Sequence, residues 1–171
     1  MKRFMLFATC AAAITAGVAQ AQSITPRGSA GGWGVFLNET TSGCFIQRET
    51  AQGIFLQIGT EAALVELTPD DPIGFMSIWI PGPAPANANP AELVVMEIGP
   101  NTYFGSAATG TREGYHGATV IAQGSELGFD LRNRRNMTVI SSSGARVDVR
   151  LNASNISEAL DALIECQSSV G

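Results

Sequence analysis

The sequence contains at residues 75–80 the run FMSIWI, which is rich in aromatic and β-branched side chains and carries no charge. Such a run is typical of a β-strand. It follows the turn residues Asp70-Asp71-Pro72 and ends where the proline-rich stretch 81–90 begins. Because four prolines within ten residues fix φ and remove amide donors, this second stretch is predicted to leave the sheet and form a surface loop.

Similar runs on both sides of residues 75–80 predict further strands of the same sheet. In the run at 146–151, apolar and charged residues alternate, which is the pattern of a strand with one buried face. The turn Gly99-Pro100-Asn101 joins two runs as a hairpin. The full set of strand candidates is 33–37, 44–48, 53–58, 63–67, 75–80, 93–98, 102–104, 127–131, 137–141 and 146–151.

Two helices complete the predicted fold. Residues 115–123 are predicted to form a short central helix that ends at Gly124. A longer helix is predicted at the C-terminus, where Asn155 is a candidate N-cap and Glu158 forms a capping-box pattern with it. One face of this helix is apolar, at Ile156, Leu160, Leu163 and Ile164. The predicted class is a mainly β, antiparallel, sandwich-like single domain with a short central helix and a C-terminal helix.

The first 21 residues have the pattern of a secretory signal peptide. A positive segment, Met1-Lys2-Arg3, precedes an apolar stretch that runs to Val18, and Ala19-Gln20-Ala21 matches the small-x-small cleavage pattern. We expect cleavage before Gln22 and a periplasmic location; release from the cell and association with the outer envelope stay open. A transmembrane anchor is disfavoured, because the apolar stretch is shorter than the roughly 20 residues of a spanning helix.

The expected mature chain is acidic and has the length of one domain. Residues 22–32 contain Ser, Gly and Pro and are predicted to be a flexible N-terminal segment, and residues 33–171 a single disulfide-linked β-rich domain. Lys2 is the only lysine, so eight arginines remain against fifteen acidic residues. This balance argues against nucleic acid and anionic membranes as partners, and no later stretch predicts membrane insertion.

Two cysteines remain after the signal peptide, Cys44 and Cys166, and a pair in an exported chain predicts a disulfide. The alternative, a redox or metal pair, is disfavoured because there is no C-x-x-C motif and His116 is the only histidine. For the same reason no catalytic residue, metal site or cofactor is predicted. Asp70 and Asp71 are more simply a solvated turn than half of a catalytic carboxylate pair.

Two stretches are candidate interaction surfaces. Arg132, Arg134 and Arg135 form a concentrated positive patch, and arginine side chains suit carboxylate or phosphate recognition. The simpler interpretation of this patch is a solvated hairpin tip between two strands. Pro83 and Pro85 belong to the loop at 81–90, which is either a partner-binding polyproline segment or, as we favour, a plain connector.

The order of these features resembles the invasion-associated locus B family of exported proteobacterial proteins. Trp33 lies in the first strand and Cys44 follows eleven residues later, the strand at 93–99 leads into Thr102-Tyr103-Phe104, and a helix containing Ala159-Leu160 closes at Cys166. The resemblance covers nearly all of the expected mature chain. It implies a periplasmic or envelope β-rich domain with the Cys44–Cys166 disulfide and no active site, from a family of which some members are tied to host-cell invasion.

These observations favour a non-enzymatic periplasmic or envelope protein that acts by protein–protein interaction, with another envelope protein as its partner. Two alternatives stay open. The first is an inhibitor of an envelope hydrolase, since small disulfide-bonded β domains present rigid loops to enzyme clefts. The second is a small-molecule carrier, suggested by the apolar strands at 54–58 and 75–80, although such strands more often fill a core.

Overall fold

The computed structural model describes residues 23–60, 73–83, 92–108, 113–122, 126–141, 144–151 and 153–170. The signal peptide predicted at 1–21 and the strand predicted at 63–67 lie outside these residues. Within them the chain forms the following elements in order: β1 (Ile24–Ala30), β2 (Trp33–Asn38), β3 (Gly43–Glu49), β4 (Phe55–Gly59), β5 (Phe75–Pro81), β6 (Leu93–Ile98), β7 (Asn101–Ala108), β8 (Tyr115–Ile121), α1 (Glu126–Asn133), β9 (Asn136–Ser141), β10 (Arg146–Arg150) and α2 (Ala153–Ser168).

These ten strands form one sheet in which every neighbouring pair is antiparallel, in the order β1-β2-β3-β4-β5-β8-β7-β6-β9-β10. The predicted mainly β, antiparallel class is confirmed. Trp33 of β2 and Arg150 of β10 line the same cavity although their strands lie near opposite ends of this order. The sheet therefore curves back on itself around its core, as two sandwich layers do, while its ladder of hydrogen bonds stays continuous.

The concave face of the sheet is the buried one, because side chains alternate between the two faces along each strand. Its residues pack together with the apolar faces of α1 and α2 in one continuous core. The apolar strands β4 and β5 are part of this core, and Ile58, Met76 and Ile78 have no exposed surface. Most side chains of these two strands therefore fill the interior, and Leu56 of β4 also lines a cavity at one end of the core.

The predicted C-terminal helix is confirmed as α2, which packs against β1, β2 and β3. The structure contains the Cys44–Cys166 disulfide, which fixes the last turn of α2 to β3. Next to it, the side-chain oxygen of Gln167 accepts hydrogen bonds from the backbone N–H of Cys44, at 3.0 Å, and from the hydroxyl of Thr60. A covalent and a polar link therefore act at one point between helix and sheet.

The flexible segment predicted at residues 22–32 is wrong for most of its length. Residues 24–30 form β1, which pairs with β2 along its whole length and shifts register once near Gly28. The carboxylate of Glu39 accepts hydrogen bonds from the hydroxyls of Thr25 and Ser23, which lower the pKa of Glu39. The Ser, Gly and Pro content suggested a flexible segment, but backbone pairing with β2 outweighs these local preferences.

The central helix predicted at 115–123 is also wrong, since Tyr115–Ile121 forms β8 between β5 and β7. A Cβ atom on Gly117 would overlap the backbone oxygen of Ile78 and lie 2.5 Å from Cε3 of Trp79, so only glycine leaves room for this backbone and for the indole ring. That packing depends on a residue 38 positions away along the chain, which local sequence patterns do not include.

The strand predicted at 127–131 is instead the helix α1. Its buried side chains include Leu127, Asp130 and Leu131, at spacings of three and four residues that place them on one helical face. The capping prediction also needs correction, because α2 begins at Ala153 and Asn155 therefore lies inside its first turn. Helix ends are the least certain part of a sequence-based prediction, since neighbouring polar residues can each act as a cap.

Candidate binding surfaces

The convex face of the sheet carries an apolar patch on β6, β7 and β8. Val95 lies directly opposite Phe104, and the register of β7 with β8 places Phe104 beside Ile121. Leu93 lies two residues before Val95 and therefore faces the same side of the sheet. We call Leu93, Val95, Phe104 and Ile121 the outer patch.

The outer patch is exposed to an extent that is uncommon for large apolar side chains. Phe104 is 61% exposed, Leu93 54% and Ile121 39%. The half-buried side chains of Phe75, opposite Ile121, and Ile140, opposite Val95, extend the apolar surface onto β5 and β9. Contiguous exposed apolar surface typically marks a protein–protein or membrane contact. The patch is therefore the best-defined candidate docking surface among the described residues.

The sequence analysis did not identify this patch. Its residues come from three strands, and only the strand order β8-β7-β6 brings them together. One local signal was present, because Leu93-Val94-Val95 is continuously apolar where a half-exposed strand would alternate. Val94 faces the core at 3% exposure, so its two neighbours must face outward.

The predicted arginine patch is not a hairpin tip, because its residues span the end of α1 and the connection to β9. Arg132 forms an ion pair with Asp161 of α2 at 2.8 Å and donates a hydrogen bond to the backbone oxygen of Ser157. Arg134 lies over the Gly99 turn, and its Nε is 3.8 Å from Oδ1 of Asp130. Arg135 is exposed. Two of the three arginines therefore make contacts within the fold, Arg132 with α2 and Arg134 with Asp130 of α1.

Asp130 belongs to a buried polar cluster that no local pattern in the sequence predicts. The side chain is 1% exposed, and its Oδ2 accepts hydrogen bonds from Nδ2 of Asn101 and the hydroxyl of Tyr103, both at 2.8 Å. Burial, together with the hydrogen bond to Asp130, raises the pKa of Tyr103. Since both donors lie on β7 and the acceptor lies on α1, the cluster anchors the helix to the sheet.

Of the two prolines predicted as candidate interaction residues, the structure describes only Pro83. Pro83 is exposed at the end of the described segment 73–83, just after Gly82, whose backbone N–H donates to the oxygen of Gly114. Pro85 lies outside the described residues. The exposed position of Pro83 is compatible with a connector and with a partner-binding segment, and both interpretations stay predictions.

Few side chains that could act in catalysis or bind a metal lie close together within the described residues. His116 is half-buried, with Nδ1 3.3 Å from the backbone oxygen of Gly82, and no nucleophile is bonded to it there. No group of three or more His, Cys, Asp or Glu residues in the described ranges could hold a metal ion. In the same ranges, neither helix is long and apolar enough to cross a membrane.

Comparison with known proteins identifies no relative of this chain. No protein-family model matches the chain, and neither a curated protein nor a solved structure matches it. The candidate surfaces are therefore defined by the geometry of this chain alone.

Proposed function

We propose that this chain is an exported, non-enzymatic protein of the periplasm or cell envelope that acts by binding another envelope protein through the outer patch. The signal-peptide pattern, the cysteine pair and the resemblance to the invasion-associated locus B family support the location. The exposure of Leu93, Phe104 and Ile121 on one face supports the mode of action.

The physical argument rests on the free energy of desolvation. Each Å² of apolar surface removed from water contributes roughly 25 cal/mol to association, so three large exposed side chains on one face form an effective core for an interface. Pairing with one another and with β5 and β9 holds the backbone of β6, β7 and β8 in place beforehand. A preorganised surface loses less conformational entropy on binding than a loop does.

A site-specific photo-crosslinker tests this proposal, because the chain offers a matched control. Phe104 in the outer patch and Phe129 on α1 are both 61% exposed. We replace either residue with a photoreactive phenylalanine analogue in cells that produce the full precursor, and identify the adducts by mass spectrometry. A defined protein adduct at position 104 and none at position 129 is expected.

The partner found in this way is then purified and titrated against variants. Leu93→Ser and Ile121→Ser should each weaken its binding about tenfold, and Phe129→Ser should leave binding unchanged. An adduct pattern that is the same at both positions, or full binding by both patch variants, would refute the assignment of the outer patch. Circular dichroism of each variant establishes that it is folded.

A further inference from the structure

A second feature lies on the concave side of the sheet, away from the outer patch. At the end of the core where β2, β3 and β4 meet the end of β10, there is a cavity of about 430 Å³. This volume is within the usual range for small-molecule sites. The cavity is lined by Trp33, Arg48, Thr50, Ala51, Gln52, Leu56, Arg150 and Leu151.

Two arginines from distant parts of the chain meet at this cavity. Arg48 lies near the end of β3, where it is half-buried, and Arg150 lies at the end of β10, where it is exposed at the mouth of the cavity. Within the described residues neither forms an ion pair or a hydrogen bond, whereas Arg132, Arg134 and Arg146 each face a carboxylate. Among the described residues that line the cavity, none is acidic. In a chain with an excess of acidic residues, two arginines with no acidic partner among the described residues are a candidate site for an anion.

The remaining walls of the cavity are apolar. Trp33, Leu56 and Leu151 are each at most 5% exposed and form its inner surface. The indole Nε1 of Trp33 is buried and has no hydrogen-bond partner among the described residues. Because this atom has essentially no accessible surface, Trp33 contributes its apolar ring to the cavity and not a hydrogen bond.

We propose that this cavity binds a carboxylate joined to an apolar group. The guanidinium groups of Arg48 and Arg150 match the two oxygens of a carboxylate, and such charge-assisted hydrogen bonds are about twice as strong as neutral ones. The apolar group of the ligand contacts Trp33 and Leu56. Two sources supply this chemistry, a small organic acid and the free carboxyl end of a peptide chain.

The test uses the expected mature chain with the substitution Trp79→Phe, which leaves Trp33 as its only tryptophan. N-acetyl-leucine is titrated while the fluorescence of Trp33 is recorded, and N-acetyl-leucinamide, which lacks the charge, is the matched control ligand. Saturable binding of the acid, and at least tenfold weaker binding of the amide, is expected. Calorimetric titration of the wild-type chain repeats the measurement without the tryptophan substitution.

Two variants assign the binding to the arginines. Arg48→Gln and Arg150→Gln should each weaken binding of the acid about tenfold or more, because each removes a charged donor. Arg146→Gln changes an arginine of the same strand β10 that is ion-paired with Asp148, outside the cavity, and should leave binding unchanged. Equal affinity for acid and amide, no saturable binding of the acid, or equal effects of all three substitutions would overturn the proposal.

Further ligands separate the sources. Octanoate represents small organic acids, and a five-residue peptide that ends in leucine represents chain ends; both should bind with the same dependence on Arg48 and Arg150. Whichever of these two ligands binds more tightly identifies the class of natural ligand, a small organic acid or the carboxyl end of a peptide chain. Inorganic phosphate that binds as tightly as the carboxylates would overturn the assignment of a carboxylate with an apolar group.

Discussion

Tyr103 of β7 donates its phenolic hydrogen to the buried carboxylate of Asp130 in α1, with 2.8 Å between the two oxygens. Together with Asn101, which donates to the same oxygen, it forms the polar contact between sheet and helix. Burial and this hydrogen bond raise the pKa of Tyr103 above its ordinary value of 10.0. The contact therefore makes the free energy of unfolding depend on pH in the alkaline range.

The direction of this pH dependence follows from proton binding. Above pH 10 the unfolded chain loses the phenolic proton while the folded chain keeps it, so the free energy of unfolding falls as the pH rises. The contribution is fully present below pH 10. Tyr103→Phe should lower stability by about 2 kcal/mol at pH 8 and show a shallower decline from pH 9 to 11 in urea denaturation.

The composition of the chain means that few other side chains titrate in the pH range of this measurement. Lys2, in the predicted signal peptide, is the only lysine, so no lysine of the expected mature chain titrates in the same range. Tyr115 is the only other tyrosine, and Tyr115→Phe should keep the wild-type decline. A parallel decline in wild type and Tyr103→Phe would show that the Tyr103–Asp130 contact does not control alkaline stability.

The disulfide should supply a large part of the stability of the fold. It joins residues separated by 122 positions, and in the chain-entropy model a loop of that length contributes about 4–5 kcal/mol by restricting the unfolded state. We expect the double variant Cys44→Ser/Cys166→Ser to lose this amount in urea denaturation. Reduction of the wild-type chain should give the same loss, and a loss below about 1 kcal/mol in both would contradict this role.

Gly117 distinguishes the strand in the structure from the helix expected from the sequence. In a helix, Gly117→Ala would stabilise the chain by about 1 kcal/mol. In β8 the added methyl group collides with the backbone oxygen of Ile78 and with the Trp79 ring, and we expect a loss of about 1–3 kcal/mol. Thermal unfolding measures the sign of the change. Adding Trp79→Leu to Gly117→Ala should recover part of the loss, because it removes the ring that the methyl group meets.

The Arg132–Asp161 ion pair tests whether this arginine has a structural role. Its side chains are 30% and 71% exposed, so solvent screens the attraction and a coupling energy of about 0.5 kcal/mol is expected. A double-mutant cycle with Arg132→Gln and Asp161→Asn measures it at low and high salt. The same cycle with Arg135→Gln, whose side chain is exposed, should give no coupling. Equal values for both arginines would remove the structural assignment of Arg132.

The predicted export has a simple chemical consequence. Cleavage before Gln22 removes Lys2, so the mature chain keeps at most one primary amine, at its N-terminus, and none once Gln22 cyclises to pyroglutamate. An amine-reactive reagent should therefore label the periplasmic fraction at most once per chain, and peptide mass spectrometry should identify Gln22 as the first residue. Two or more labels per chain, or a sequence that begins at Met1, would contradict cleavage.

Strands and helices with strong local patterns could be predicted from the sequence. The alternation of Val147, Asp148 and Val149 is sufficient to identify β10, and the apolar spacing in α2 is independent of its surroundings. Tyr115–Ile121 was assigned wrongly because its strand state depends on pairing with β5 and β7 and on the Trp79 ring, all of which are distant in sequence.

Candidate surfaces were harder to predict than secondary structure, since they depend on strand order. Phe104 and Ile121 become neighbours only because β8 pairs with β7. In the same way, Arg48 and Arg150 share a cavity only because the sheet curves until β3 and β10 approach each other. The cluster of arginines at 132–135 looked like a surface from its composition, but Asp130 and Asp161 engage two of its members.

The Cys44–Cys166 bridge also sets an order of events in folding. Its second cysteine lies in the last turn of the last helix, so the native bridge cannot form until nearly the whole chain is available. A sheet that depends on contacts between distant residues is slow to form in any case. If the chain is exported as we propose, this delay would keep the polypeptide unfolded during translocation. The disulfide would then form on the oxidising side of the membrane.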